Sequence, residues 1–583
     1  MAQDTRLARE YYTNGEFEKA APLYKKLHDS DRTNDYYFER YYLTLLELED
    51  YAESEKMIKK AIKASPEKVQ RYVNYGIIQE YQNKMSKATE QYEKAIRQLP
   101  AQRVQIVKLA KIFLSNKKFD YAIQTFQKGS QLLKEKHLFA YELGYIYQLQ
   151  GDTKNMIASY LDYLLYLPNR MTNVEGIFQR YLQPMDNGYA RLKTELYARI
   201  QKSSATIYPE LLIWVFMQEG DYGNALKQAK ALDKRLNENG SRIYLLAQTA
   251  MREEQYDSSI DAYTYIISKG SICPYYVDAK QQVLAVKRKR LVKGFAYSRE
   301  ELLKMEEEYE SFLSEFGKNR QSSKIMRELA QFEAKYLNNH SKAISILEEV
   351  IKMTGLSRTS RNQTKLELAD YYLMKGEIWE ATLLYSQVDK EMDDAPLGEM
   401  ARFKNAKLSY YKGDFEWAQD QLDILKGSTS ELISNDAIDL GVFIMDHYNL
   451  DTTAIPMQMF ARAQLLNFQY RFDESFEVMD SIVAKDTKHG LIDDICYTKA
   501  EIQIEKRAYQ DAIVLLEKIV EEYGDGILAD NAIFKLAEIY EKYLNQPDEA
   551  KKLYQKILFD YSGSLLSVEA GKRFRRLRGD GIQ

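Results

Sequence analysis

Five histidines and two cysteines are the residues here best suited to holding a metal or attacking a substrate, and their spacing supports neither. His28, His137, His340, His447 and His489 have no histidine or cysteine neighbour at ligand spacing, so no zinc set forms. Cys273 lies in Ser-Ile-Cys-Pro-Tyr-Tyr and Cys496 in Asp-Asp-Ile-Cys-Tyr, settings that predict buried thiols rather than a disulfide or ligands. There is no His-Glu-x-x-His, no Cys-x-x-Cys, no glycine-rich phosphate loop and no Gly-x-Ser-x-Gly. Carboxylates occur in runs, Glu306-Glu307-Glu308 and Glu348-Glu349, which read as solvated helix faces rather than acid–base pairs. The expectation is a chain with no catalytic residues, no metal and no cofactor, hence not an enzyme.

Two basic clusters remain. Lys287, Arg288, Lys289 and Arg290, with Lys293, form a patch suited to phosphate, anionic head groups or an acidic partner. Its alternative is charge complementing helix carbonyls, the reading preferred for the second cluster of Lys572, Arg573, Arg575, Arg576 and Arg578. The whole chain has 82 basic and 86 acidic residues, net charge −4, which argues against a dedicated nucleic-acid binder.

The elements that would position these residues are helices. Of 583 residues, 45% are apolar and 29% charged, enough to bury a core. Only 26 glycines and 10 prolines interrupt it, while 47 tyrosines suit half-buried positions with a packed ring and a wet hydroxyl. No run of about 18 apolar residues is present, so no transmembrane helix is expected.

Those helices repeat. Ala20-x3-Tyr24-x2-Leu27 recurs every 34 residues as Ser54-x3-Ile58-x2-Ala61, Ala88-x3-Tyr92-x2-Ala95, Ala122-x3-Phe126-x2-Gly129 and Met156-x3-Tyr160-x2-Tyr163. Ala8, Tyr42, Gly76, Ala110 and Gly144 keep the same spacing, and Pro66, Pro100 and Pro168 follow the second half of a unit. Small residues at the eighth and twentieth positions let two helices of one unit cross closely. The aromatic four residues later lies on the same helix face. Proline stops the second helix. Each unit is then a helical hairpin with an apolar face that only stacking can cover.

These residues resemble the tetratricopeptide-repeat (TPR) family. The resemblance implies an all-α, TPR-type helical-hairpin solenoid, a right-handed superhelix, and we expect about 13–14 helix pairs. It is clearest over residues 1–169, a regular N-terminal array. Residues 170–319 form an irregular helical middle with degenerate units, including Gly220-Asp-Tyr222-x2-Ala225-x3-Ala229 and a longer helix pair over 274–317. In that pair the link Lys293-Gly-Phe-Ala-Tyr-Ser-Arg places Ser298 three residues before Glu301, a capping-box pattern. Residues 320–583 form a looser C-terminal array with an inserted helix near 435–448 and a terminal capping helix. Ala537-Glu-Ile-Tyr540, Ala550-Lys-Lys-Leu-Tyr554 and the terminal helix are similar to the C-terminal repeats of bacterial cell-envelope TPR proteins, such as outer-membrane assembly lipoproteins and the Tol-Pal coordinator family.

The resemblance also implies a binding face. Its lining positions, the second, fifth, ninth and twelfth of each unit, here include Tyr36, Glu39, Leu43, Val73, Ile77, Glu80, Val107, Lys111, Tyr141, Tyr145 and Gln148. The family's Lys and Asn clamp for a C-terminal carboxylate is absent, and these mostly apolar residues suit a peptide segment or amphipathic helix in the concave groove. The expected partners are other proteins, with no nucleic acid and no transmembrane segment. The expected function is a protein–protein interaction scaffold or adaptor in a bacterial cell-envelope assembly, associated with it peripherally. The start Met1-Ala2-Gln3-Asp4 reads as a trimmed secreted form, with a cleaved signal peptide before Ala2 and a periplasmic location. The alternatives are a cytoplasmic TPR adaptor and a glycan-binding TPR protein of the starch-utilisation type. The last needs exposed tryptophans and long loops, whereas Trp214, Trp379 and Trp417 each sit in a helical pattern.

Overall fold

The computed structural model describes residues 2–293, 297–393, 395–428, 430–448 and 454–579. The expected link between the longer helix pair therefore lies partly outside the described residues, at 294–296. Among the described residues there are thirty-two α-helices and no strand. Thirty of the helices pair in sequence as fifteen hairpins, one or two more than the period predicts. The chain divides into two compact units, Met1–Val283 and Leu284–Gln583.

The first unit opens with Ala2–Thr13 and Phe17–Ser30 (α1, α2), Asp35–Glu47 and Tyr51–Ala64 (α3, α4), and Gln70–Tyr81 and Met85–Arg97 (α5, α6). Arg103–Ser115 and Phe119–Leu133 (α7, α8) and Ala140–Gln150 and Thr153–Tyr166 (α9, α10) complete the regular array. Met171–Leu182 and Gly188–Lys202 (α11, α12), Ile207–Gln218 and Tyr222–Leu236 (α13, α14), and Ser241–Arg252 and Tyr256–Ser268 (α15, α16) follow. The unit boundary falls inside Tyr276–Val292 (α17), which pairs with Arg299–Phe316 (α18).

The second unit continues with Ser323–Tyr336 and His340–Lys352 (α19, α20), Arg358–Lys375 and Ile378–Glu391 (α21, α22), and Pro396–Tyr411 and Phe415–Leu425 (α23, α24). Glu431–Tyr448 (α25) is the inserted helix. Ile455–Phe468 and Phe472–Lys485 (α26, α27), Ile492–Glu505 and Tyr509–Glu522 (α28, α29), and Ala529–Glu538 and Pro547–Asp560 (α30, α31) come next, with a π-helical turn, Ile539–Tyr543, extending α30. Ser567–Arg578 (α32) closes the array.

The repeat residues do what their sizes dictate. Ala8, Ala20, Ala110 and Ala122 are fully buried where paired helices cross. At Gly76 a Cβ would lie 2.3 Å from Tyr92 Cε1, and at Gly144 2.9 Å from Tyr160 Cε1. The glycine of the first helix is thus the seat for the aromatic ring of the second. Where serine replaces alanine at the crossing, its hydroxyl donates to a carbonyl of the partner helix: Ser259 to Ala247 at 2.8 Å and Ser475 to Ala463 at 2.7 Å. This satisfies a buried polar group that would otherwise be costly.

The turn inside each regular hairpin also repeats. Gly15, Glu49, Asn83, Lys117 and Gly151 all have φ between 56° and 76°, the left-handed conformation that lets a helix end and reverse within two residues. Ser298 caps α18, and the reciprocal bond from its backbone N–H to Glu301 completes the capping box read from sequence.

In the second unit α25 changes the stacking. In a hairpin array successive helices alternate in direction, so one extra helix alters how the chain enters the next hairpin. Helix α26 accordingly packs across the turn ends of α21 and α23. Phe468 and Tyr411 rings stand 6.5 Å apart, and Gln469 Nε2 donates to the Leu373 carbonyl at 2.9 Å. Further along, the Arg507 guanidinium lies 5.4 Å over the Tyr297 ring. A polar cluster is buried in the same unit. Glu333 is fully buried and pairs with Lys342 Nζ at 2.8 Å, and Lys342 also contacts Glu310 at 2.6 Å and Glu306.

Candidate functional site

Helix α9 presents the most continuous apolar stripe of the regular array. Tyr141, Tyr145 and Leu149 are spaced i, i+4 and i+8, so they stand one above another on one face. They are 39%, 46% and 49% exposed. Gly144, one step round the helix from Tyr141, sits on Tyr160 and fixes the orientation of the stripe. Tyr160 is buried against Phe178 of α11 at 6.0 Å and donates its hydroxyl to Gln148 Oε1 at 3.2 Å. The Tyr141 ring meets Tyr160 edge-on at 5.8 Å and Tyr163 at 5.1 Å. Burial, then the nearby hydroxyls of Tyr141, Tyr181 and Tyr145, push the Tyr160 phenol well above its ordinary pKa. The Tyr141 ring is thus packed on two neighbours before any ligand arrives. Such rings offer large contact area at little entropy cost.

The other residues read from the sequence are placed unevenly. Tyr36 is exposed on α3, with the Arg40 guanidinium 5.5 Å over its ring. Glu39 and Lys111 are exposed, while Leu43 and Val107 are half-buried. Glu80 is tied to Lys118 Nζ at 2.6 Å, bridging neighbouring hairpins. Val73 and Ile77 do not line a groove. They belong to the core, at 0% and 5% exposure. Both side chains are enclosed in the cluster that holds Tyr92, Leu109 and Phe113. Leu149 and Tyr181, 37% exposed, belong to the surface and escaped the positional rule. Leu149 was visible in the sequence as the next i+4 step after Tyr145.

The basic run does not make one patch. Consecutive helical residues point about 100° apart, so four in a row spread around the helix. Lys287 pairs with Glu308 at 2.8 Å, and Arg288 donates to Gln331 Oε1 at 3.1 Å. Lys289, Arg290 and Lys293 are the exposed members. In the terminal cluster, Arg573 pairs with Glu538 at 2.9 Å and Glu569 at 3.2 Å, tying α32 onto α30. Of the tryptophans, Trp379 is 76% exposed beneath the Lys412 ammonium at 5.1 Å, and Trp417 is 40% exposed. Among the described residues no group of three His, Cys, Asp or Glu side chains is placed to hold a metal, and no helix is long and apolar enough to cross a membrane.

Residues 531–564, spanning α30 and α31, match the sequence model of the tetratricopeptide repeat. That segment is a tetratricopeptide repeat. No curated protein is significantly similar to it in sequence. Among solved structures it is similar to yeast Tom70, at 13% identity and a TM-score of 0.28, over 96% of this chain and 97% of that one. It is similar to Naa15/Naa10 bound to HypK-THB at 14% identity and a TM-score of 0.27, over 99% and 91%. A tetratricopeptide repeat protein from Parabacteroides merdae is matched at 11% identity and a TM-score of 0.22, over 58% of this chain and 99% of that one. Stacked repeats of this kind are scaffolds for protein–protein interaction.

Proposed function

We propose that this protein is a non-catalytic scaffold whose first unit binds an apolar peptide segment or amphipathic helix of a partner protein along Tyr141, Tyr145 and Leu149. The observation that carries this is the stripe itself: three exposed apolar side chains in one row, the first of them backed by the buried Tyr160 ring. A helix laid along such a row would insert its own i, i+4 anchors between the rings. The test is affinity capture with the full chain and with Tyr141→Ala plus Tyr145→Ala. The double variant should lose at least one partner that Trp379→Ala protein retains, and recovery of an identical partner set would remove the site.

We further place the scaffold in the bacterial envelope, on the periplasmic side. What supports this is the resemblance, read from the sequence alone, of Ala537-Glu-Ile-Tyr540, Ala550-Lys-Lys-Leu-Tyr554 and the terminal helix to the C-terminal repeats of envelope TPR proteins. Fractionation of cells carrying the natural gene should recover the protein with periplasmic markers, and recovery with cytoplasmic markers would favour a cytoplasmic adaptor.

A further inference from the structure

The helix that interrupts the hairpin series carries the chemistry of a second interface. The inner face of α25 is spent on the core, where Ile433, Ala437 and Ile444 pack with Phe415, Leu422 and Met457. Its outer face is also apolar. Ile438, Val442 and Met445, at i, i+4 and i+7, share one stripe and are 39%, 38% and 39% exposed. Leu432, at the start of the helix, is 66% exposed. Gly441 lies beside this stripe. A Cβ there would stand 3.3 Å from Gln419 Nε2, so α24 closes up to α25 along that edge.

The charge around the stripe is mostly acidic, with Lys426 the exception: it lies 3.7 Å from where a Gly441 Cβ would stand and pairs with Asp423 at 2.6 Å. Helices α24 and α25 together hold seven Asp and Glu and no Lys or Arg, in a chain whose charges otherwise nearly balance. Among the described residues Asp420, Glu431, Asp436, Asp439 and Asp446 have no ion-pair partner. Some carboxylates of the same unit are matched within the fold, as Glu306, Glu310 and Glu333 are by Lys342. An apolar row with a largely unpaired acidic rim complements a helix that is apolar on one side and cationic on its flanks. The flexible thioether of Met445 suits a surface that must fit an incoming side chain.

We propose that the outer face of α25, with its flank on α24, docks a basic amphipathic helix of another protein. The apolar residues of that helix lie on Ile438, Val442 and Met445, and its lysines or arginines face Asp439, Asp446 and Glu431. This site is separate from the α9 stripe and stands or falls without it.

The probe is a fluorescein-labelled synthetic helix of leucines and lysines in amphipathic order, titrated with the full chain by anisotropy. Measured in Tyr141→Ala plus Tyr145→Ala protein, so that the α9 stripe does not contribute, saturable binding is expected, weakened roughly tenfold when Val442→Glu plus Met445→Glu are added. If the glutamate variant loses helicity, Asp439→Asn plus Asp446→Asn leaves every apolar contact in place and should still weaken binding about threefold. Equal affinity for a peptide of the same composition in scrambled order would overturn the proposal, because bare charge attraction would then suffice. So would undiminished binding to both variants. Concentration-dependent dimerisation in sedimentation, lost in Val442→Glu plus Met445→Glu, would assign the face to a second copy of this chain instead.

Discussion

Gln469, just past the end of α26, donates its side-chain Nε2 to the backbone carbonyl of Leu373 at 2.9 Å, joining positions 96 residues apart. The bond is buried, and it ties the hairpins that follow the inserted α25 to those that precede it. Leu465 and Phe468 pack beside it on the cluster of Leu366, Ala369 and Leu373. A stack of hairpins normally makes contacts only between neighbours. Here the second unit gains a long-range closure.

Removing that bond should loosen the second unit alone. Gln469→Ala is expected to cost about 1–2 kcal/mol, the penalty of a lost buried hydrogen bond. Hydrogen exchange followed by mass spectrometry should show faster exchange in peptides covering 366–376 and 455–470, with the α1–α10 peptides unaffected. Unchanged protection in both would mean that the apolar contacts suffice.

Two glycines should respond in opposite directions. At Gly144 an added methyl would press on the buried Tyr160 ring, so Gly144→Ala should destabilise by about 1–3 kcal/mol. At Gly176, inside α11, a Cβ would meet nothing within 4 Å, so Gly176→Ala should stabilise by about 0.5–1 kcal/mol. Urea midpoints of the two variants decide it, and the same sign for both would contradict the seating of Tyr160 on Gly144.

The buried Glu333 makes the second unit sensitive to pH. Burial, then its hydrogen bond with Glu306, pushes its carboxyl up to about 7 from an ordinary 4.5. The folded state therefore holds the proton more tightly than the unfolded chain does. This stabilisation is complete below about 4.5 and is lost as pH rises through about 7. Glu306 shifts the other way. Burial opposes it, but the hydrogen bonds with Glu333 and Lys342 prevail, and its contribution is lost at pH below its own range. Glu333→Gln fixes the neutral form. It should raise the unfolding midpoint near pH 8, by on the order of 2 kcal/mol in stability, and leave it nearly unchanged near pH 5. A parallel pH profile for variant and parent would refute the assignment.

The α9 stripe can be separated from the core beneath it. Tyr145→Ala removes a ring that is 46% exposed and should change stability by less than about 0.5 kcal/mol while weakening partner capture. Tyr160→Ala removes a buried ring and should cost about 3–5 kcal/mol. Thermal melts and capture assays on the same two proteins would expose any case in which binding loss merely follows unfolding.

The amino-acid sequence by itself determined the hairpin, its 34-residue period, the capping box at Ser298 and the position of the inserted helix. Each of these rests on interactions between residues near in sequence: helix periodicity, the small-residue crossing, and a side chain reaching its own backbone. Even so, the tight turns were only half legible. Gly15 and Gly151 announce a left-handed residue, whereas Glu49 and Lys117 adopt the same conformation with no sequence signal. Their strain, about 1 kcal/mol each, is held in place by the packing of the hairpin they join.

Tertiary structure alone decided which face of each helix stayed open. Val73 and Tyr141 occupy comparable repeat positions, yet one is core and the other surface. Exposure depends on how closely the neighbouring hairpins cover each side chain, not on the glycine seat, which Gly76 with Tyr92 and Gly144 with Tyr160 share. The run from Lys287 to Arg290 looked like a patch because the residues are adjacent in sequence, and the helical turn separated them. The bond from Gln469 to Leu373 and the Glu333 cluster join residues far apart along the chain, or turned inward by it, and no local pattern encodes such meetings.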